Sequence, residues 1–535
     1  MSDEIPVRPE DFEEVGLDPD ALFDATMGRR DFLLNTAKLT AAAAAAGPFF
    51  LAAEQAQAAR AASTGGDPIA TTVINAATQN FKGTNLTRIS EAGLQALEPK
   101  NFSGPLWKQM VGGNVSVVEA PFPQIFTKSV TEHIAKSGTL DVIDASPAWI
   151  PDFADRGVIM PVDDLVAKYK IGATFNDLHP LYRALAKYKG KTWGFFADGD
   201  VWNLYYRKDI FGNPKLQKAY KAKFKRPLRV PRTWDEFNET AAFITDQLAP
   251  KVYGAGEGRA LGNPGNQFYF FQTFRAFGGH LYDPATMKAL VNNPIGIKAM
   301  NSIMGELKAS EPGINKLDFV SSWVLWLQGK TAMIYAWPPT GRISENYAQR
   351  DKAFAFLPKS KVVGKVGYAL MPNRNGEHAG SFVQTVSADS KNAEAAFLYN
   401  AWITSPSVSL QVVMLPYTLR DPYRISHYKS AKYRSLWPGA KNYLISLAQA
   451  ANYAVIDPIM TGSADYANAM DRGMTGIYAG KDVKSGLDGI AKEWDAITKR
   501  LGQDRIRASY AEFLKLPGAT SKNTIAALGK AVKIT

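Results

Sequence analysis

The sequence predicts an α/β protein of two or three domains, and three observations carry that expectation. A short β-rich run stands at 71–77, and further short strand candidates recur at 139–145, 203–206 and 332–336. Helical patterns stand between and after them, at 163–170, 233–248, 295–308, 392–404 and 484–501. Beyond an N-terminal leader about 475 of the 535 residues remain, enough for two or three domains of about 100–200 residues each. Alternating strands and helices of this kind favour parallel sheets covered by helices.

The elements follow in order. Residues 1–27 are acidic, and Gly28-Arg29-Arg30-Asp31-Phe32-Leu33-Leu34 places an arginine pair before an Ala-rich apolar stretch. The stretch is broken by Pro48 and ends in Ala56-Gln57-Ala58, a small-x-small pattern. Charged start, apolar middle and small-residue end make a secretory signal, and the pair resembles a twin-arginine signal peptide. Residues 1–58 are thus expected to be removed after export through the twin-arginine translocase, and are excluded from fold reasoning. Residues 59–69 read as a flexible lead-in. Helix starts are marked by Asp163, by Thr233 before Asp235-Glu236, and by Asn293-Pro294. The glycine run at 254–258 reads as a loop.

Composition narrows the class. With 46% hydrophobic and 21% charged residues, the chain matches a globular protein. There is no cysteine, which removes disulfides, thiolate metal sites, iron–sulfur clusters and a lipid-carrying cysteine. Net charge is +12, and residues 1–58 contribute −7, so the processed chain stands at +19. The basic residues are dispersed apart from one cluster at 215–232, without a zinc-finger or RNP pattern. They read mainly as a solvated surface, with an anionic ligand as the second reading and no nucleic-acid partner.

Several segments, in order, carry a resemblance. They are Leu140-Asp141-Val142-Ile143 with Pro161-Val162-Asp163-Asp164-Leu165, Gly190-Lys191-Thr192-Trp193-Gly194-Phe195, Leu204-Tyr205-Tyr206-Arg207-Lys208-Asp209-Ile210-Phe211, Pro231-Arg232-Thr233-Trp234-Asp235-Glu236-Phe237, Phe277-Gly278-Gly279, Gly329-Lys330-Thr331-Ala332-Met333, and Ser390-Lys391-Asn392-Ala393-Glu394 with Trp402 and Ser405-Pro406. Together they resemble the carbohydrate-binding solute-binding proteins of ABC importers, the family that includes maltose-binding protein. Departures are Arg207 in place of the usual Asn, Phe196-Ala197-Asp198 in place of the usual Pro, and extra length near 212–232 and 410–450.

The resemblance implies two α/β lobes joined by hinge strands around a ligand cleft. One lobe would comprise 66–198 plus 373–418, the other 203–370 plus 421–535. The chain would cross near 197–203, 366–374 and 415–424. It also implies a monomeric periplasmic protein, without cofactor or catalytic centre, that binds a sugar or oligosaccharide and passes it to permease subunits in the inner membrane.

A sugar needs aromatic rings for its C–H faces and planar polar groups for its hydroxyls. The candidate cluster at the first crossing is Asp198, Asp200, Trp202 and Asn203. Ser146 and Trp149 follow the 139–145 strand, where α/β proteins place ligands. Trp337 and Arg342 follow the 332–336 strand, and Asn266 and Gln267 lie in an amide-rich turn. Gln79 and Asn80 follow the expected first strand, and Ser381, Tyr417 and Arg420 complete the set. On the anionic reading Arg275, Arg342 and Arg420 would meet the ligand. An enzyme is the rival class, but the five histidines lack metal-ligand spacing, and there is no nucleophile elbow, P-loop or dinucleotide fingerprint. The pair Asp198/Asp200 is the one arrangement that suggests glycosidase chemistry.

Overall fold

The run at 71–77, expected as a strand, lies inside a helix, Pro68–Asn80. Asp67 caps it by accepting from the amides of Ile69 and Ala70, and Pro68 supplies a preset first turn. Its buried residues Ile69, Ala70, Val73, Ile74 and Ala77 form one helical stripe, packed on the helix Ala393–Ile403. The periodicity was the better guide here than the β-branched composition. The computed structural model describes residues 67–535 apart from 263–265, 375–376 and 379–380. The arginine pair and the rest of the leader lie outside the described residues.

Two principal sheets organise the chain. Their strands are β1 (Leu86–Glu91), β2 (Val115–Ala120), β3 (Val142–Ala145), β4 (Ile159–Met160), β5 (Phe195–Phe196), β6 (Asn203–Arg207), β7 (Met333–Ala336), β8 (Val366–Ala369) and β9 (Val383–Ser387). The first sheet runs β2-β1-β3-β9-β4, with β5 also on β9. β1 is parallel to β2 and β3, whereas β9 is antiparallel to β3, β4 and β5. The second sheet, β8-β6-β7, is antiparallel throughout. Within these two sheets the expectation of parallel pairing therefore holds only for β1–β3. Strands that enter a sheet straight from a crossing, without a helical return, need not run parallel.

The helices agree closely with the sequence periodicities: Asp163–Lys168, Trp234–Leu248, Pro294–Lys308, Ala393–Ile403 and Val483–Leu501. Thr233 and Asn293 cap two of them by accepting from the amides of Glu236 and Gly296. The glycine run at 254–258 is a loop. No described helix is long and apolar enough to cross a membrane.

The arrangement is the two-lobed fold of periplasmic binding proteins. The chain leaves the first sheet after β5 and enters the second at β6. It returns from β8 to β9, and after the helix Pro406–Met414 it passes through 415–424 to the helix Ala440–Tyr453, which packs on β6 and β8. Asp198-Gly199-Asp200 and Asp421-Pro422 run against each other here. The Gly199 amide donates to Asp421 O at 3.1 Å, and a Cβ on Gly199 would overlap the Pro422 carbonyl. The C-terminal helices Ser463–Tyr478 and Val483–Leu501 pack beside Asn266–Ala276 and Pro294–Lys308. The Gly462 amide reaches Asp152 Oδ2 of the first lobe at 2.7 Å.

Candidate functional site

Strand ends from both sheets converge on one recess, with about 540 Å3 of open space. Glu91 ends β1, and Gln95 sits on the short turn that follows. Phe122 opens the helix after β2, and Phe382 immediately precedes β9. From the second lobe come Phe268, Phe319, Trp323, Trp337 and Pro339, and from the crossings Asp200 and Leu419. Helices starting after β1–β3 leave this edge open, as α/β sheets generally do.

The recess has two aromatic walls. Phe122 and Phe382 meet edge to face at 5.8 Å, and Trp149 stands behind Phe122 at 4.8 Å. On the other side Trp337 packs against Phe319 at 5.7 Å, with Trp202 behind it at 5.1 Å. Trp202 also touches Phe268 and Tyr269. Tyr269 is in turn covered by the Arg259 guanidinium at 3.6 Å, and Arg259 is paired with buried Glu306 at 2.8 Å. Trp337 is half-buried, whereas Trp149 and Trp202 are buried.

The polar floor is Glu91, Gln95 and Asp200, and an ion network lies behind it. Arg88 on β1 grips Asp144 on β3 through Nε at 3.1 Å and Nη2 at 2.9 Å, and reaches Glu98 at 2.9 Å. Arg420 donates to the same Asp144 at 2.9 Å and lies 3.5 Å from Asp198. Asp198 accepts from Gln95 at 3.2 Å and from the Asp421 amide at 2.9 Å. Arg342 pairs with Asp421 at 2.9 Å. Burial opposes the charge on Asp144, but Arg88 and Arg420 outweigh it and hold this carboxyl below its usual range. At Asp198 burial outweighs Arg420 and pushes the carboxyl up to about 6. Burial similarly pushes Glu91 up to about 7. Asp200 is driven well above the ordinary range by burial and by the neighbouring Asp198 and Asp421.

The carboxylate oxygens of Asp198, Asp200 and Asp421 lie within 4.8 Å of one another, the one such cluster among the described residues. Arg342 and Arg420 already face it, so its chemistry fits an ion network between the chain crossings better than the all-oxygen cage a hard cation needs.

The sequence candidates divide. Asp200 and Trp337 line the recess. Asp198, Trp149 and Trp202 stand directly behind lining groups. Ser146 caps the turn Pro147–Trp149, accepting from Ala148, and Ser381 Oγ donates to Asp198 O at 2.7 Å. Asn203 donates to Ser446 at 2.9 Å, and Asn266 donates to Arg259 O and Ala260 O at 3.1 Å each; both are buried. Gln267 is half-buried beside it, and Tyr417 is buried in the second-lobe core. None of Asn203, Asn266, Gln267 and Tyr417 lines the recess. Gln79 and Asn80 are exposed at the end of the first helix, because the strand they were to follow is that helix.

The anion partners require correction too. Arg342 and Arg420 are buried and bonded to Asp421 and Asp144, and Arg275 is buried and donates to Ile456 O. None of the three lines the recess. Glu91, Gln95, Phe122, Phe268, Phe319, Trp323, Phe382 and Leu419 were missed. The run of β1, Leu-Thr-Arg-Ile-Ser-Glu, gives little signal, since it has only two apolar residues and carries Arg88 and Ser90 inward.

Comparisons with known proteins bear on the fold and the family. A Sinorhizobium fredii protein named "Probable amino-acid ABC transporter periplasmic-binding protein" is 28% identical over 364 residues, 61% of this chain and 75% of that protein. An ABC transporter solute-binding protein of Agrobacterium vitis S4, solved with bound D-mannitol, superposes with a TM-score of 0.63 at 23% identity, covering 78% of this chain and 99% of that one. One from Agrobacterium radiobacter K84, in complex with ribitol, gives 0.62 at 21% identity, covering 79% and 99%. The model of the family described as bacterial extracellular solute-binding protein matches residues 90–409, more than half of the chain. The chain belongs to the family of bacterial extracellular solute-binding proteins.

Proposed function

We propose that this protein is the substrate-capturing component of an ABC importer, taking up a sugar or polyol and presenting it to a membrane permease. One observation carries the reading: aromatic walls from both lobes face each other across a recess whose floor is polar. Ring faces of that kind suit the C–H faces of a polyhydroxylated ligand, and the polar floor suits its hydroxyls. The mannitol and ribitol bound to the two structural neighbours support the same ligand class. Ligand touching both walls favours the closed arrangement of the lobes, and the equilibrium shifts by that preference alone. The permease then meets a surface made of both lobes.

The protein acts as a monomer without turning its ligand over, so oligosaccharides incubated with it are recovered intact. The twin-arginine translocase carries it to the periplasm. A thermal-shift screen of sugars and polyols is the direct test, because a ligand that binds only the folded state raises its apparent stability. Small-angle scattering should show compaction with any compound that stabilises the protein. A stabilising compound that leaves the scattering curve unchanged would count against capture by closure.

A further inference from the structure

The recess is short of positive charge. Its polar lining is Glu91, Asp200 and Gln95, and none of its lining residues is basic. The rest is mostly aromatic: Phe122 and Phe382 on one wall, Phe268, Phe319, Trp323 and Trp337 on the other. Behind the floor the imbalance continues. Carboxyls of Glu91, Glu98, Asp144, Asp198, Asp200 and Asp421 surround three guanidinium groups, Arg88, Arg342 and Arg420. Each arginine already serves at least one carboxylate. Burying unpaired carboxylates is costly, so the excess acids retain protons. Glu91, pushed up to about 7, faces Arg420, Asp198 and Asp144. Asp200, also raised by burial, faces Asp198, Asp421 and Arg420, with the Tyr182 phenol also nearby.

A ligand cation would supply the missing charge. It would let Glu91 and Asp200 ionise against a direct partner, and aromatic faces attract cations further, most strongly where water is excluded. A carboxylate or phosphate on the ligand would find acids and no base.

We propose that the ligand carries a protonated amine, as an amino sugar or amino polyol does, held by Glu91 and Asp200 against the aromatic walls. This rests on the sugar- or polyol-capture reading and narrows it to a charge class. Because the acids hold protons before binding, capture of the ammonium releases protons to solvent, whereas capture of a neutral sugar has no such drive.

The test is isothermal titration calorimetry of the exported chain with matched pairs: glucosamine and glucose, galactosamine and galactose, mannosamine and mannose, glucamine and glucitol. Each titration is run near neutral pH in two buffers of different ionisation enthalpy. The expected result is an amine that binds at least about tenfold more tightly than its hydroxyl partner, a gap of about 1.4 kcal/mol, with net proton release. Glu91→Gln, at the half-buried rim, and Asp200→Asn should each weaken that amine about tenfold or more while weakening any neutral binder much less. Neutral partners binding as tightly as the amines would overturn the inference and leave sugar capture standing. Binding by neither set would remove the capture reading and this inference together. Amine binding that survives both substitutions, in variants with an unchanged unfolding transition, would also overturn it.

Discussion

Arg420 Nη2 sits 2.9 Å from Asp144 Oδ2, so the last chain crossing is tied to a strand at the centre of the first sheet. Arg88 holds the same carboxylate from the other side. Both arginines and the aspartate are buried. Arg420→Met should therefore destabilise the protein by about 3 kcal/mol, since it removes one partner of a buried pair. Urea unfolding measures this, and a loss below about 1 kcal/mol would mean that Arg88 alone satisfies Asp144.

Trp202 and Trp337 touch at 5.1 Å yet should behave differently on truncation. Trp202 is fully buried, so Trp202→Ala should cost about 3–5 kcal/mol of folding stability. Trp337 is half-buried and lines the recess. Trp337→Ala should cost much less stability but weaken ligand binding about tenfold or more. Equal effects on stability would remove the distinction between backing and lining residue.

Acid titration should separate two kinds of carboxyl. Asp198, Glu91 and Asp200 have raised values in the folded state. The native state thus binds more protons than the unfolded chain between about pH 4 and 7, and these groups make stability fall as pH rises through that window. Asp144 is depressed; its contribution is present above the unfolded value near 4 and is lost as pH falls through the lower folded one. Asp198→Asn should flatten the slope between about pH 4 and 6 in a series of thermal unfolding curves. An unchanged slope would show that Asp198 does not carry it.

Gly199 lies where two crossings touch, and a Cβ there would overlap the Pro422 carbonyl. Gly199→Ala should destabilise by about 1–3 kcal/mol through overpacking against backbone that cannot step aside. A neutral substitution, measured by chemical denaturation, would show that the crossings can separate freely.

Export should remove the leader after Ala58. Amino-terminal sequencing of periplasmic protein should read Ala59 first, and replacing Arg29-Arg30 by a lysine pair should strand the precursor in the cytoplasm. Periplasmic accumulation of that variant would point to another route.

The helices at 234–248, 294–308 and 483–501 were legible because their stripes and caps are local. Thr233 and Asn293 bond amides three residues away. β3, β6 and β7 were legible as short runs, β3 and β7 buried along their whole length and β6 at every residue but Tyr206. β1 was not, because Arg88 and Ser90 break its apolar pattern while bonding across the sheet to Asp144. Losing β1 shifted the first strand into the helix Pro68–Asn80 and cost Glu91 and Gln95 as candidates.

The sequence by itself determined the family and those helices whose stripes and caps are local, since order of motifs and caps are properties of short segments. Only the tertiary structure decided which polar residues line the recess. Arg342 and Arg420 look like ligand partners until Asp421 and Asp144, brought to them across 79 and 276 residues of chain, take up their charge. Glu91 and Asp200 line the recess beside no basic lining residue because Arg88, Arg342 and Arg420 are bonded to Asp144 and Asp421.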